Sequence, residues 1–518
     1  MPAASSNRRK KWRSVGSRRK ATSGSRYPRR PVRLRSGSPR IGRRRRMARI
    51  AVLGGGIIGL STAMLVAADG HEVTVLERDP EPPPHDADEA WAAWARRGVN
   101  QFRLLHYFLP RWRTLCEAEL PALLDELVAA GALDQNPVAE APPTVSGGPQ
   151  PGDEVFRTVT GRRPMVEAVI ARLAGSTPGI TIRRGVALAG VRTGPDAVPG
   201  VVHVTGVVTE DGEEIAADLV VDAGGRRSAL PRWLEAAGGR PPVEEKDDCG
   251  FVYYGRHFRS ADGSVPPFLG PGLQHYDAIS VLTLPADNGT WGIGIVTSGT
   301  DRTLRALRDP ERFDATVACF PLMAHWLEGE RLDADVAVMA GIEDRVRCFR
   351  VDGRPVATGV VAVGDAWACT NPSVGRGISV GTIHAIALRD LLRTADLGDP
   401  AGLADAWHDV TEATVLPFVR STLWFDRHRL AEIDAQIEGR PYEPDDPLWE
   451  FWHALGVASF GDAELFRSSV RIAGMLSRVE DEHDRDDVRE RALSLGAGWR
   501  SEPLPGPDRG QLLATLGV

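Results

Sequence analysis

Three glycines spaced Gly54-x-Gly56-x-x-Gly59 follow an apolar run, Arg49–Leu53, and precede a helical pattern, Ile57–Asp69. Glycine carries no functional group, so the spacing and its context are the signal. The first glycine permits a tight turn, the second lets the backbone approach a pyrophosphate, and the third lets the helix pack on the strand. The helix start then offers free N–H groups and the positive end of its dipole to phosphate. Ile57 and Ile58 fill the interval before Gly59 and belong to the same contact. Glu77 ends the next strand pattern, Glu72–Glu77, 23 residues after Gly54. A carboxylate there is placed to accept a ribose 2′-hydroxyl, and Arg78 beside it joins the binding set. The pattern specifies a dinucleotide without saying which.

Three further runs narrow the choice. Val360-Val361-Ala362-Val363-Gly364-Asp365-Ala366 is a buried-strand pattern ending in Gly-Asp, followed by Asn371-Pro372-Ser373-Val374-Gly375-Arg376-Gly377 and a helix. Val220-Val221-Asp222-Ala223-Gly224-Gly225-Arg226-Arg227-Ser228 is the second run, and Arg97-Gly98-Val99-Asn100-Gln101-Phe102-Arg103-Leu104-Leu105-His106 the third. Together they resemble the FAD-dependent aromatic hydroxylase and epoxidase superfamily, the relatives of para-hydroxybenzoate hydroxylase. The last run is similar to one in bacterial enzymes of the polyether epoxidase type, with Asn100 in place of their proline. The resemblance covers residues 47–395.

The resemblance implies FAD as cofactor. Gly364 and Asp365 would hold the flavin's sugar chain. Asn371, Pro372, Gly375 and Gly377 would lie beside the isoalloxazine ring, with Ile378 opening the next helix. Asp222 and Gly225 would lie near the pyrophosphate and ribose, and Gln101 and Arg103 on the ribose and phosphate side. His106 is the nearest candidate for a general acid or base, with helix packing as its competing role. The implied activity is a monooxygenase, hydroxylating or epoxidising a small organic, secondary-metabolite type of substrate with O2 through a flavin C4a-hydroperoxide. The cofactor carries that chemistry, so the lack of a catalytic triad or metal cluster does not argue against an enzyme. Electrons would come from NAD(P)H, directly or through a partner flavin or NAD(P)H reductase. The Asp222–Arg232 segment departs from the form associated with nicotinamide use, which points to the reductase.

Two other activities share these motifs. One is an FAD-dependent dehydrogenase or reductase of the geranylgeranyl-reductase type. The other is a flavin-dependent halogenase, which needs a lysine and a W-x-W-x-I-P run. Lys246 is the only lysine after residue 46, and Trp91-Ala92-Ala93-Trp94 does not reproduce that run.

The elements that must position these residues follow from periodicity. Strands are expected at Arg49–Leu53, Glu72–Glu77, Glu214–Asp222 and Val356–Val363, and helices at Pro164–Leu173 and Ser379–Leu392. Val99–Ala130 has the spacing of one long helical stretch. From Pro241 the pattern turns antiparallel, with alternation at Phe251–Phe258 and Ile279–Leu284 and a hairpin turn at Asp287-Asn288-Gly289 leading to Thr290–Thr297. Tyr253, Tyr254, Tyr276 and Trp291 would wall the substrate pocket. The expected fold is α/β. A Rossmann-type FAD-binding domain of the GR2 kind, residues 47–240 and 345–400, is interrupted by an antiparallel β-sheet substrate domain, 241–344. A C-terminal helical region, 401–518, follows.

Composition sets the limits. The chain has 518 residues, 42% hydrophobic and 25% charged, which reads as soluble and globular. Residues 1–46 hold 18 Lys and Arg and no acid, leaving 45 basic against 69 acidic residues in the remainder. That acidic body argues against nucleic-acid binding. The basic segment has too few apolar residues to pack and is expected to be a disordered extension, with Met47 favoured as the functional start over a polyanion-binding arm. The apolar run Ile50–Ala68 imitates a signal peptide behind Arg43–Arg46, but its glycines mark it as the first unit of the fold. No other stretch approaches a membrane span. Five scattered cysteines without C-x-x-C give no metal site and fit a cytoplasmic setting.

Overall fold

The computed structural model describes residues 47–500 and 504–518, so the expectations for residues 1–46 lie outside the described residues. The chain builds β1 (Arg49–Leu53), α1 (Ile57–Ala68), β2 (Glu72–Glu77), α2 (Arg163–Ser176), β3 (Ile180–Arg184) and β4 (Leu219–Asp222). It continues into β5 (Phe251–Arg259), β6 (Leu273–His275), β7 (Ile279–Pro285) and β8 (Thr290–Ser298). It returns in β9 (Val360–Ala362), followed by α3 (Gly377–Leu392) and α4 (Leu416–Ile437).

One five-stranded parallel sheet has the order β9-β4-β1-β2-β3. Its strands β9, β4 and β1 are nearly continuous apolar runs because both faces are covered. Register does the positioning. Leu53 of β1 lies opposite Asp222 of β4, and Asp222 lies opposite Ala362 of β9. The three glycine-rich runs that follow these strands therefore leave the sheet at one edge. β2 lies on one side of β1 and β4 on the other, so the crevice falls where the strand order reverses, the usual ligand position in open α/β sheets.

α1 is buried along nearly its whole length, with ten of its twelve residues inside. Leu60 and Met64 in its core contribute about 1.5–3 kcal/mol each by burial. α3 packs on α1 through Gly381, where a Cβ would fall 2.6 Å from Ile58. The two helices thus bring their N-terminal ends to the same crevice.

The second sheet is antiparallel, ordered β6-β7-β8-β5, with two short strands, Glu330–Arg331 and Ala337–Met339, added to β5. The β7–β8 turn forms where Asp287-Asn288-Gly289 was expected, with Asn288 and Gly289 at φ 52° and 65°. Both connections to the parallel sheet run through one antiparallel ribbon, Val243–Asp248 against Glu343–Cys348. The hairpin tip is pinned to the parallel-sheet side by Arg162, which donates to the fully buried Asp287 carboxylate at 2.7 Å. After residue 400 the described chain is largely helical, and its final helix, Arg509–Leu516, packs Leu512 and Leu516 into the antiparallel-sheet core.

The expectation of one helical stretch over Val99–Ala130 is corrected. Residues 99–109 are turns and loop, and two helices follow, Pro110–Glu119 and Pro121–Ala129. Each opens on a proline, which lacks the N–H a helix interior needs and is suited to a first position. The expected strand Glu214–Asp222 is likewise two strands in different sheets, Glu214–Ala216 and β4. Among the described residues no helix is long and apolar enough to cross a membrane, and no cluster of metal-ligating side chains occurs.

Candidate functional site

The glycine loops open into one cavity of about 2270 Å³. An ordinary small-molecule pocket holds ~300–1,000 Å³, so this space accommodates a dinucleotide and a second molecule. At its β1 end Gly54 has φ 104°, and a Cβ there would fall 2.7 Å from the Ala223 carbonyl oxygen. At Gly59 a Cβ would fall 2.0 Å from the Gly54 carbonyl oxygen. Gly56 is different: a Cβ there meets nothing within 4 Å, because it projects into the cavity. Gly56 is also the N-cap of α1 and supplies no side-chain cap. Ile57, Ile58 and Gly59 of the first turn line the cavity, and the first N–H groups of a helix have no intrahelical partner, as an anion site requires.

Glu77 fixes this loop. Its Oε2 accepts from the Gly55 N–H at 2.8 Å and from Arg96 at 2.8 Å, and its Oε1 accepts from the Asp79 N–H at 2.9 Å. Arg96 also donates to the Gly55 carbonyl at 3.2 Å and to Asp79 at 3.0 Å, and lies 3.4 Å from Glu167. Burial works against its charge, but Glu167, Glu77 and Asp79 outweigh burial and hold it more firmly protonated than a free arginine. Sequence reading missed Arg96, although it stands next to the Arg97–His106 run. Arg78 and Gln101 line the cavity. Arg103 does not: its guanidinium donates to the Trp91, Ala92 and Trp94 carbonyls, a correction to its expected ribose or phosphate contact.

The β4 and β9 loops supply the opposite wall. Asp222 lines it, but Oδ1 accepts from the Gly224 N–H at 2.9 Å and Oδ2 from the Ser228 hydroxyl, so the carboxylate shapes the loop. Gly225 and Gly364 take φ 71° and 57°, which leaves both loops open to the cavity. Asp365 also faces the cavity, and its carboxylate makes no hydrogen bond to the described residues. Burial raises its pKa, opposed by Arg226, Arg163 and Arg345. An acceptor left open inside a cavity suits the hydroxyls of a sugar chain.

Pro372, Gly375, Gly377 and Ile378 all line the cavity. Gly375 has φ 68°, and a Cβ on Gly377 meets nothing within 4 Å. Gly377 is the first residue of α3, two residues earlier than the expected start, and α3 has no side-chain cap. Asn371 anchors the loop. Its N–H donates to Asp344 at 2.7 Å, its side-chain NH2 donates to Asp426 of α4 at 2.9 Å, and its oxygen accepts from the Tyr253 hydroxyl. Burial pushes Asp344 up to about 6.

His106 lines the cavity without free proton-transfer capacity. Its Nδ1 lies 2.9 Å from the Leu104 carbonyl and its Nε2 3.1 Å from Arg163. A carbonyl only accepts and a guanidinium only donates, so Nδ1 carries the proton and Nε2 is an acceptor. Burial and Arg163 depress its pKa to about 3. The expectation of a general acid or base is corrected to a neutral, positioned imidazole.

Tyr253, Tyr254 and Tyr276 line the cavity as expected. Trp291 does not: it is buried in the sheet's other core, donating to the Trp326 carbonyl at 2.7 Å. The far wall, which sequence reading left unassigned, comes from α4 and the chain beyond it: Phe425, Arg429, Glu432, Trp452, His453 and Trp499. The available signal was the density of aromatic and histidine residues between Trp424 and His453.

Two uncapped helix starts that can donate to phosphates, with Glu77 and the open Asp365 as acceptors for sugar hydroxyls, fit FAD. Residues 49–132 match the family model described as FAD dependent oxidoreductase. The solved structure of a flavoprotein/dehydrogenase from Cytophaga hutchinsonii superposes with a TM-score of 0.56 at 16% identity, covering 88% of this chain and 100% of that one. PqsL from Pseudomonas aeruginosa, described as a probable FAD-dependent monooxygenase, superposes with a TM-score of 0.55 at 16% identity, covering 76% and 100%. At these identities the superpositions speak for the fold. The class is that of the FAD-dependent oxidoreductases. Protein Rv3254 of Mycobacterium tuberculosis is 30% identical over 387 residues, 71% of this chain and 77% of the relative, and this chain belongs to its family.

Proposed function

We propose that the protein is an FAD-dependent monooxygenase that hydroxylates or epoxidises a small organic molecule. The observation that carries this reading is continuity: one cavity joins the phosphate loop, the Asn371–Gly377 loop and the face of the antiparallel sheet. In that arrangement the first turn of α1 would hold the pyrophosphate, Glu77 the adenosine ribose, and Asp365 the sugar chain. The start of α3 would face the ring edge that gains negative charge on reduction. Bound FAD supplies the activation of O2. The chain excludes water and orients the substrate against Leu105, Tyr253 and Leu282, which line the same cavity.

Two polar groups on the sheet side of the cavity bear on the choice between oxygen transfer and dehydrogenation. His106 is neutral and has both nitrogens occupied, and the Tyr253 hydroxyl is donated to Asn371. Neither is placed to abstract or deliver a substrate proton. The lysine that the halogenase alternative needs is not at the site: Lys246 is exposed on the connecting ribbon and does not line the cavity. The departure at Asp222–Arg232 supports electron delivery by a separate reductase. Turnover under oxygen-18-labelled O2 is the test. Label in the product is the expected result. Anaerobic turnover with an artificial electron acceptor and no label would establish the dehydrogenase instead.

A further inference from the structure

We propose that His275 is the hydrogen-bond donor of a substrate subsite that selects planar aromatic molecules carrying a phenolic or carbonyl oxygen. The proposal rests on the monooxygenase reading for what happens to that molecule, and on the geometry alone for its binding.

His275 ends β6 and lies directly opposite Ser280 of β7. Its Nδ1 is 2.9 Å from the Ser280 hydroxyl. Arg429 of α4 donates to the same hydroxyl oxygen, at 3.4 Å from Nε and 3.3 Å from Nη2. It also donates to the Tyr276 and Ile279 carbonyls at 2.6 and 2.9 Å and to Glu432 at 2.5 Å. The other Glu432 oxygen is 3.0 Å from His453 Nε2. A guanidinium can only donate, so the Ser280 oxygen accepts from Arg429. The arrangement that gives every proton an acceptor turns the Ser280 hydrogen to His275 Nδ1. The proton of the neutral imidazole is then on Nε2. Burial, reinforced by the Arg429 charge, keeps that imidazole neutral by holding its pKa well below the usual value.

The ring lines the cavity, and Nε2 has no hydrogen-bond partner among the described residues. It is a donor waiting for an acceptor. The walls beside it are flat. Phe425 and Trp452 have ring centroids 5.8 and 5.4 Å from His275, and the two lie 5.2 Å from each other at 64°. Such surfaces favour an aromatic guest, edge-to-face or offset. The charges nearby cancel as an Arg429–Glu432 pair, so the site asks for a neutral oxygen acceptor.

α4 ties this subsite to the loop at the proposed flavin ring. Ser421 and Thr422 lie within hydrogen-bond reach of Arg376, and Asp426 holds Asn371. Arg429 follows Asp426 by three residues, about 4.5 Å along a helix axis. The residue that holds Ser280 beside His275 and the residue that anchors Asn371 thus sit within one turn of α4.

The test uses FAD-loaded protein and two isosteric fluorescent probes, 2-naphthol and 2-methylnaphthalene, titrated against wild type and His275→Phe. Phenylalanine keeps the flat wall and removes the donor. The 2-naphthol to 2-methylnaphthalene affinity ratio is expected to fall about tenfold, the size of one lost hydrogen bond, with 2-methylnaphthalene affinity unchanged. Ser280→Ala leaves the ring in place but frees its proton to move, and is expected to lower the ratio by a smaller amount. It carries the test if His275→Phe does not fold. A ratio unchanged in either folded variant overturns the proposal, as does wild type that binds neither probe. FAD absorbance is read on the same samples. Protein that takes up no FAD yet shows the ratio effect defeats the flavin reading alone, and FAD-replete protein without the effect defeats this one alone.

Discussion

Replacing Gly377 by valine should lower the flavin reduction potential without disturbing the fold. Gly377 opens α3, and a Cβ there meets nothing within 4 Å, so the added side chain extends into the cavity. α3 has sixteen residues and no side-chain cap, so its first turn carries the equivalent of ~0.5 positive charge toward the cavity. In the proposed orientation, reduction places negative charge on the ring edge facing that turn. Such an interaction is worth ~1–2 kcal/mol in a partly buried site. Valine would hold the ring away and remove most of it. For a two-electron couple 30 mV corresponds to ~1.4 kcal/mol, so the expected drop is about 20–45 mV. Equilibration with a reference dye during slow enzymatic reduction measures it, with FAD content and melting temperature as controls. A variant that keeps FAD, melts like wild type and shows an unchanged potential would refute the placement of the ring against α3.

Gly56→Val should sharply reduce FAD content in otherwise folded protein, because its side chain enters the space beside the α1 N-terminus; full occupancy by absorbance would remove the phosphate-loop assignment. Asp287→Ala strands the buried Arg162 guanidinium, whose other anionic contact is the half-exposed Asp88 at 2.9 Å. The cost is about 3 kcal/mol, a fall in Tm of roughly 6–12 °C at ~2–4 °C per kcal/mol. A shift within 1 °C by calorimetry would show that the hairpin tip is not an anchor. Stopped-flow mixing of substrate-bound enzyme with NADH or NADPH should leave the flavin oxidised on the turnover timescale, and rapid bleaching by either nucleotide alone would exclude the need for a reductase.

The glycine loops and the strands before them were legible in the amino-acid order alone. Gly54 and Gly59 are legible because steric exclusion leaves no other residue type: the Gly54 Cβ position nearly touches the Ala223 oxygen, and that of Gly59 the Gly54 oxygen. The same locality made the β7–β8 hairpin legible, since Asn-Gly sets its own backbone sign. Which polar groups are spent and which remain open depends on contacts between distant segments. Arg103 and Asp222 carry motif positions yet are consumed by carbonyls and by their own loop, whereas Asp365 is left facing the cavity. His106 looked like an acid–base group until Arg163, 57 residues on, fixed its tautomer. The α4 wall was beyond reach for the same reason. Arg429 meets Ser280 across 149 residues, and side-chain chemistry at such separation depends on how two packed elements cross, which no local spacing encodes.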